Sequence, residues 1–296
     1  MANGYVGRFA PSPTGDLHIG SLLAAVGSYA QALHHRGQWL LRIEDVDRAR
    51  EVDGAALRQI ADLRRFGMVS PRPVEYQHNR RARHEHVIQH LLDQDRAFHC
   101  GCSRADLPPS GVYPGTCRTG LASGQSPRSI RFRVPDQTIR FHDGVFGDRT
   151  ERLTESVGDV VIRRADGMIA YQLAVVVDDI DQGVTEVVRG ADLLASTARQ
   201  IALWLALGQR PPEWLHLPLI VDDQGQKLGK SSAADPVHRL PELNTLLLVL
   251  RCLGQRPPST LRSIASAWAW VETHWNPRLI PKAPIRVSEL PIYNAT

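Results

Sequence analysis

Residues 5–47, YVGRFAPSPTGDLHIGSLLAAVGSYAQALHHRGQWLLRIEDVD, constrain the fold more than any other stretch of this chain. A short apolar run, Tyr5 to Phe9, stops at Pro11, Pro13 and Gly15. Proline has no N–H to give to a strand ladder, so the strand must end there. From His18 to His35, apolar residues recur at Leu22, Leu23, Val26, Ala30 and Leu33, the spacing of one helix face, and Gly37 is a suitable stop. QWLLRIEDVD then reads as a buried strand ending in acids. Strand, helix and strand with short joints make a βαβ unit, whose strands run parallel through a right-handed crossover. Arg8 and Glu44 thereby reach the same edge of one sheet, the edge at which open parallel sheets bind ligands.

Residues 51–67 and 80–96 read as further helices, the second basic at its start (NRRARHEH) and carrying Val87, Ile88, Leu91 and Leu92 on one face. From His99 to about Thr150 the character changes: Gly, Pro and Ser are common and the cysteines cluster, as in an insertion with its own small fold. Helix and strand patterns resume at GMIAYQLAVVVDDIDQGVTEVVRG, followed by an amphipathic helix, ADLLASTARQIALWLALG. WLHLPLIVDDQGQKLGKSS reads as strand, turn and Lys-bearing loop, and helical segments with a Pro-rich tail after Trp275 complete the sequence. No internal repeat is visible. The expected organisation is α/β: half of a nucleotide-binding fold over 1–98, an insertion over 99–165, the second half over 166–233, and a C-terminal helical segment over 234–296.

The net charge is +4, with arginine far outnumbering lysine. An excess of guanidinium forks suits phosphate and carboxylate recognition and permits a nucleic-acid partner, although most surface arginines only solvate. The N-terminus has no basic region followed by an apolar one, and no apolar run approaches a membrane span. A cytosolic protein without a membrane partner is expected, and in that compartment its four cysteines stay reduced.

Three groups of residues carry chemistry. A strand that breaks at prolines and feeds a helix leaves N–H groups of the first helical turn facing the sheet edge, which with the helix dipole makes an anion site. His18 adds a ring donor there, and Gly20 lets a flat base or ribose approach. The second group is KLGKSS, where Lys227 and Lys230 can place two ammonium charges on one polyphosphate. A G-x-x-x-x-G-K-[ST] loop is absent, which disfavours the common ATPases and GTPases. Each short match has a structural reading, a turn or a solvated loop. The third is Cys100, Cys102 and Cys117, which supply three thiolates of the four ligands that zinc wants, with His99 a generic fourth. Such an ion would hold together an insertion with too few apolar residues for a core. Cys252, alone in an apolar helix, suits packing.

Taken together, GRFAPSPTGDLHIGSLLAA, LLRIEDVDRAR, FHCGCSR, GVTEVVRGADLL and KLGKS resemble the glutamyl-tRNA synthetase group of class I aminoacyl-tRNA synthetases, from about residue 5 to the late 230s. The resemblance implies a Rossmann-type parallel sheet with a small zinc-bearing, acceptor-binding-like insertion. It implies ATP binding by His18, Gly20, Lys227, Lys230 and Ser231, with His18, Lys227 and Lys230 neutralising phosphate charge while magnesium leaves with pyrophosphate. It also implies a glutamate pocket of Arg8, Ala10, Ser12, Glu44, Tyr171 and Arg189, and Tyr113 as the fourth zinc ligand. Taken singly, Arg8 and Glu44 could be an ion pair and Tyr171 a core aromatic; Asp45, Asp47, Asp178, Asp179 and Asp181 could be loop caps or contacts to the substrate amine.

Two departures sharpen the resemblance. Ser21 stands where the first motif usually ends in histidine, and too little chain follows KLGKS for an anticodon-reading domain. This is similar to a truncated branch of the family that activates L-glutamate with ATP, without needing tRNA, and esterifies it onto queuosine at the wobble position of tRNA(Asp). A monomer is expected. The alternatives are a truncated enzyme charging a tRNA 3′ end, a ligase for a non-tRNA acceptor, and a catalytically dead tRNA-binding module.

Overall fold

The computed structural model describes residues 4–228 and 235–290. Strand β1 (Val6–Phe9), helix α1 (Ile19–His34) and strand β2 (Gln38–Ile43) form the expected βαβ unit, with β1 and β2 parallel and Arg8 opposite Leu40. The prolines cannot donate, but their carbonyls still accept: Glu44 N–H bonds Pro11 and Val52 N–H bonds Pro13, both at 2.9 Å. These bonds tie the turn after β1 to the chain leaving β2. Helix α2 (Ala55–Arg65) and the two-residue strand β3 (Glu75–Tyr76), parallel to β2, follow. Helix α3 (Arg81–Asp93) is shorter than the basic segment suggested, because Asp95 takes a positive φ and turns the chain into β4 (Ala97–Cys100).

Strand β4 pairs antiparallel with β5 (Ser129–Phe132). The hairpin β6 (Thr138–Asp143) and β7 (Gly147–Arg152) comes next, then the single turn α4 (Leu153–Ser156) and β8 (Val160–Arg163), which closes the β4–β5 sheet. Helix α5 (Tyr171–Gln182), β9 (Glu186–Gly190), α6 (Thr197–Ala206) and β10 (Glu213–Leu217) make the second half, with β9 and β10 parallel. Pro218 separates β10 from β11 (Ile220–Val221). Helices α7 (Glu242–Cys252) and α8 (Ile264–His274) and strand β12 (Ile285–Arg286), paired with β11, finish the described chain. Among the described residues no helix is long and apolar enough to cross a membrane.

The two halves meet where β1 runs beside β9: Thr185 N–H donates to the Val6 carbonyl at 2.9 Å, and Val6 N–H donates to the Thr185 hydroxyl at 2.9 Å. One feature crosses the expected boundaries. The β6–β7 hairpin, inside 99–165, joins the second half through parallel pairing of Asp143 with Trp214 on β10.

Residues on opposite faces of the strands enter two separate cores. Trp39, Leu41, Ile43, Val188, Leu215 and Leu217 pack with α1, α7 and α8. Val6, Leu40, Val187 and Trp214 pack with α3, α5 and α6. The C-terminal helices therefore share the core of α1. Trp275 Nε1 donates to Gln31 Oε1 at 2.7 Å, and Trp268 Nε1 donates to the Phe66 carbonyl at 2.7 Å.

Candidate active site

The C-terminal ends of β1, β2 and β9 and the turn after β10 surround a cavity of about 530 Å³. It is lined by Arg8, Ala10, Ser12, His18, Gly20, Ser21, Glu44, Tyr171, Arg189 and Lys227, among others. Lys230 and Ser231 lie outside the described residues. The parallel strands deliver Arg8, Glu44 and Arg189 to one edge, as the βαβ geometry requires.

His18 is the N-cap of α1, and its Nδ1 accepts the Gly20 N–H at 3.1 Å. A ring nitrogen that accepts carries no proton, so the neutral imidazole holds its proton on Nε2. A Cβ at position 20 would lie 3.0 Å from His18 Cε1, so the glycine makes room for this capping ring. Lys227 closes the hairpin that begins at Val221, in which the Asp222 carboxylate accepts N–H bonds from Gln224 and Gln226. Its ammonium sits 2.6 Å from Asp192, a half-exposed pair that a polyphosphate can replace.

A buried polar layer lies beneath the cavity. On the face toward α5 and α6, each central strand places an apolar residue and then, two positions on, a buried polar one: Val6 and Arg8, Leu40 and Arg42, Val187 and Arg189, Trp214 and His216. Asp179 of α5 bridges Arg8 at 3.1 Å and Arg42 at 2.8 Å. Arg42 also donates to Gln182 and reaches Glu44 at 3.4 Å. Burial pushes the Asp179 carboxyl up, but the two guanidiniums outweigh it and hold the group below the usual carboxylate range. For Glu44 the balance is reversed: burial wins over Arg42 and Arg8, and its carboxyl sits above that range. Arg8 therefore pairs with Asp179 rather than with Glu44, through Nε alone among the described residues.

Arg189 differs from both other arginines. Its guanidinium donates to His216 Nε2 at 3.0 Å, Gln200 Oε1 at 2.7 Å, Thr197 Oγ1 at 3.1 Å and the Leu193 carbonyl at 3.2 Å, and it lies over the Trp214 ring. The side chain is buried with the residue 5 % exposed, and none of these partners is a carboxylate. Burial pulls its pKa below the ordinary guanidinium value. Such a cation, desolvated and held only by neutral acceptors, is able to take up an anion.

The remaining acids serve the chain itself. Asp45 accepts from His78 N–H, Asp47 pairs with Arg50 and Arg164, Asp178 holds Gln77 and His84, and Asp181 holds Arg83. Sequence reasoning passed over Arg42, His216 and Asp192 and left Asp179 undecided. The available signal was one ionisable residue inside each otherwise apolar strand, QWLLRI and EWLHL.

A second site lies in the insertion, where the sulfurs of Cys100, Cys102 and Cys117 fall within 4.8 Å of one another. The Tyr113 hydroxyl is 3.5 Å from Cys100 Sγ and accepts Cys117 N–H at 2.8 Å. Gly158, at φ +68°, lies so close to Tyr113 that a Cβ would sit 2.1 Å from its carbonyl oxygen. His99 is exposed, as strand alternation next to buried Cys100 dictates, and is not part of the group. Burial raises the Cys100 thiol, but hydrogen bonds from Tyr113, the Cys102 backbone and Arg131 bring it down to about 7. Three clustered sulfur donors fit zinc's ligand preferences, and the Tyr113 hydroxyl lies beside one of them.

The family described as tRNA synthetases class I (E and Q), catalytic domain, matches residues 5–109 and 117–240, and the chain belongs to it. Similar proteins include several named glutamyl-Q tRNA(Asp) synthetase. That of Aromatoleum aromaticum is 46 % identical over 287 residues, 94 % of this chain and 91 % of the relative. That of Xanthomonas campestris is 48 % identical over 281 residues, covering 94 % of both. Among solved structures, a glutamate tRNA ligase from Elizabethkingia meningosepticum in complex with its amino acid superposes with a TM-score of 0.78. It is 26 % identical, and the match covers 96 % of this chain and 67 % of that one.

Proposed function

We propose that the chain activates L-glutamate with ATP, independently of tRNA, and transfers the glutamyl group to queuosine at the wobble position of tRNA(Asp). The observation that carries the substrate assignment is Arg189, a buried guanidinium with no carboxylate partner among the described residues, facing the same cavity as Arg8 and Glu44. Glutamate has two carboxylates and one ammonium, and the cavity lining includes Arg8, Arg189 and Glu44 to meet them. Arg8 and Arg189 take the carboxylates, Glu44 takes the ammonium, Ala10 and Ser12 contribute the turn that meets the amino acid, and Tyr171 closes the side.

Activation joins the α-carboxylate oxygen to the α-phosphorus of ATP, while the bond to the pyrophosphate oxygen breaks and magnesium departs with pyrophosphate. The protein's part is positioning and charge stabilisation. In this reading His18 Nε2–H and Lys227 meet the phosphates with Gly20 beside the nucleotide, and Lys230 and Ser231, outside the described residues, belong to the same ATP-binding set. A hydroxyl of the acceptor then attacks the mixed anhydride and AMP leaves. Cys100, Cys102, Cys117 and Tyr113 hold a structural zinc ion in this reading. In this reading the protein acts as a monomer in the cytoplasm, where tRNA is found.

The test offers labelled glutamate and ATP to tRNA(Asp) with and without queuosine, and to tRNA(Glu). Labelling of queuosine-bearing tRNA(Asp) alone is expected, together with ATP–pyrophosphate exchange in the absence of tRNA. Labelling of tRNA(Glu) would instead make this an enzyme that charges the 3′ end. Labelling of none of the three, with exchange intact, would point to a non-tRNA acceptor.

A further inference from the structure

We infer that His216 and Asp143 are positioning residues that aim Arg189 at a substrate carboxylate without neutralising it. The inference rests on Arg189 receiving that carboxylate. Both residues are fully buried. A guanidinium can only donate, so His216 Nε2, at 3.0 Å from Arg189 Nε, must accept and be unprotonated. The ring proton then sits on Nδ1 and is given to Asp143 Oδ2 at 2.5 Å. Asp143 is itself fixed, since its Oδ1 accepts Val145 N–H at 3.0 Å and Phe146 N–H at 2.8 Å and thus caps the turn of the β6–β7 hairpin. Its Oδ2 also accepts the His216 backbone N–H at 3.2 Å.

The arrangement solves a specific electrostatic problem. A carboxylate bonded directly to Arg189 would orient it but cancel the charge that the substrate needs, as Asp179 does for Arg42. Interposing a neutral imidazole keeps the orientation and moves the negative charge one ring away. The chain thus uses two buried aspartates differently. Asp179 bonds its arginines directly, neutralising Arg42 and leaving the terminal nitrogens of Arg8 for the substrate, and Asp143 works through a histidine.

Two substitutions separate the contacts. In His216→Asn the amide reaches Asp143 in place of Nδ1 but leaves Arg189 Nε without its acceptor. In His216→Gln the amide oxygen takes the place of Nε2 and restores that acceptor. In ATP–pyrophosphate exchange, H216N is expected to raise the KM for glutamate roughly 10–100-fold, the loss typical of a hydrogen bond to a charged group, while kcat and the KM for ATP change little. H216Q should recover most of that loss. Equal effects of the two variants, or no effect of H216N, would overturn the proposal. Arg189→Gln is the control on its premise: if R189Q leaves the glutamate KM unchanged, the pocket assignment itself is wrong, whatever His216 does. A measurement on the unaltered protein covers variants that fail to fold. Nitrogen-15 NMR of the His216 ring should show Nδ1 protonated and Nε2 bare, and a proton on Nε2 would equally overturn the inference.

Discussion

Asp179→Asn tests whether the buried layer beneath the cavity is held by charge. The substitution keeps size and shape but removes the carboxylate that bridges Arg8 at 3.1 Å and Arg42 at 2.8 Å. The side chains of Asp179 and Arg42 are 4 % and 0 % exposed, so solvent cannot stand in for the lost anion. Breaking a buried pair from one side costs about 3–5 kcal/mol, because the remaining cation stays buried and unpaired. Glu44, at 3.4 Å from Arg42, offsets part of this, which favours the lower end, about 3 kcal/mol. For a chain of this length that corresponds to a fall in Tm of about 5 °C. Urea titrations at pH 7 should show a lower midpoint with an unchanged slope. The sign of the pH dependence follows from the depressed pKa of Asp179. Its stabilisation is complete above the unfolded carboxylate pKa, about 3.9, and is lost as pH falls through the lower folded value. The deficit contributed by Asp179 should therefore shrink only in acid, below the unfolded carboxylate pKa. A deficit below about 1 kcal/mol at pH 7 would refute the reasoning, since it would mean the three charges are screened as surface pairs are.

Three further outcomes are expected. Burial holds the Glu44 carboxyl above its ordinary range, so as pH falls it protonates before ordinary carboxylates and loses its attraction for the substrate ammonium. The KM for glutamate should rise toward acid while that for ATP stays flatter, and parallel profiles for wild type and Glu44→Gln would dismiss Glu44 from this role. Lys230→Ala should fold normally and cut ATP–pyrophosphate exchange by about 10²–10³, as loss of one preorganised donor does; near-normal exchange would remove Lys230 from the catalytic group. Purified protein should carry one zinc ion per chain by atomic absorption, and Cys117→Ser should lose it and expose residues 97–163 to protease while hydrogen exchange in α1 stays slow.

The βαβ unit was legible because its signals are local: prolines that end a strand, a helical period, a glycine stop. The meeting of Arg8 with Glu44 at one sheet edge followed from the handedness of the crossover. The cysteine cluster was legible from spacing, although seeing that His99 points away from it needed the face that side chain takes on β4. Arg42, Asp179, Asp143 and His216 were not legible, since each is explained by a partner at least 73 positions away. A lone arginine in QWLLRI looks like an edge residue until the strand is found buried on both faces. The β6–β7 hairpin was hidden for a related reason: it lies inside the insertion by sequence but completes the sheet of the second half.

The sharing of one core by α1 and the C-terminal helices has a consequence for the chain as it is made. Helix α1, synthesised within the first residues, waits for Leu246, Val249, Val271 and Trp275 before its apolar face is covered, and its Gln31 finds the Trp275 indole across 244 positions. At ordinary elongation speeds of about 5–20 residues per second, that face stays open for roughly 12–50 s. The nucleotide wall begins at the first turn of this same helix, so it becomes firm only once the far end of the chain has left the ribosome. Nascent chains arrested before α7 should therefore be recognised by chaperones that bind exposed leucine-rich helices.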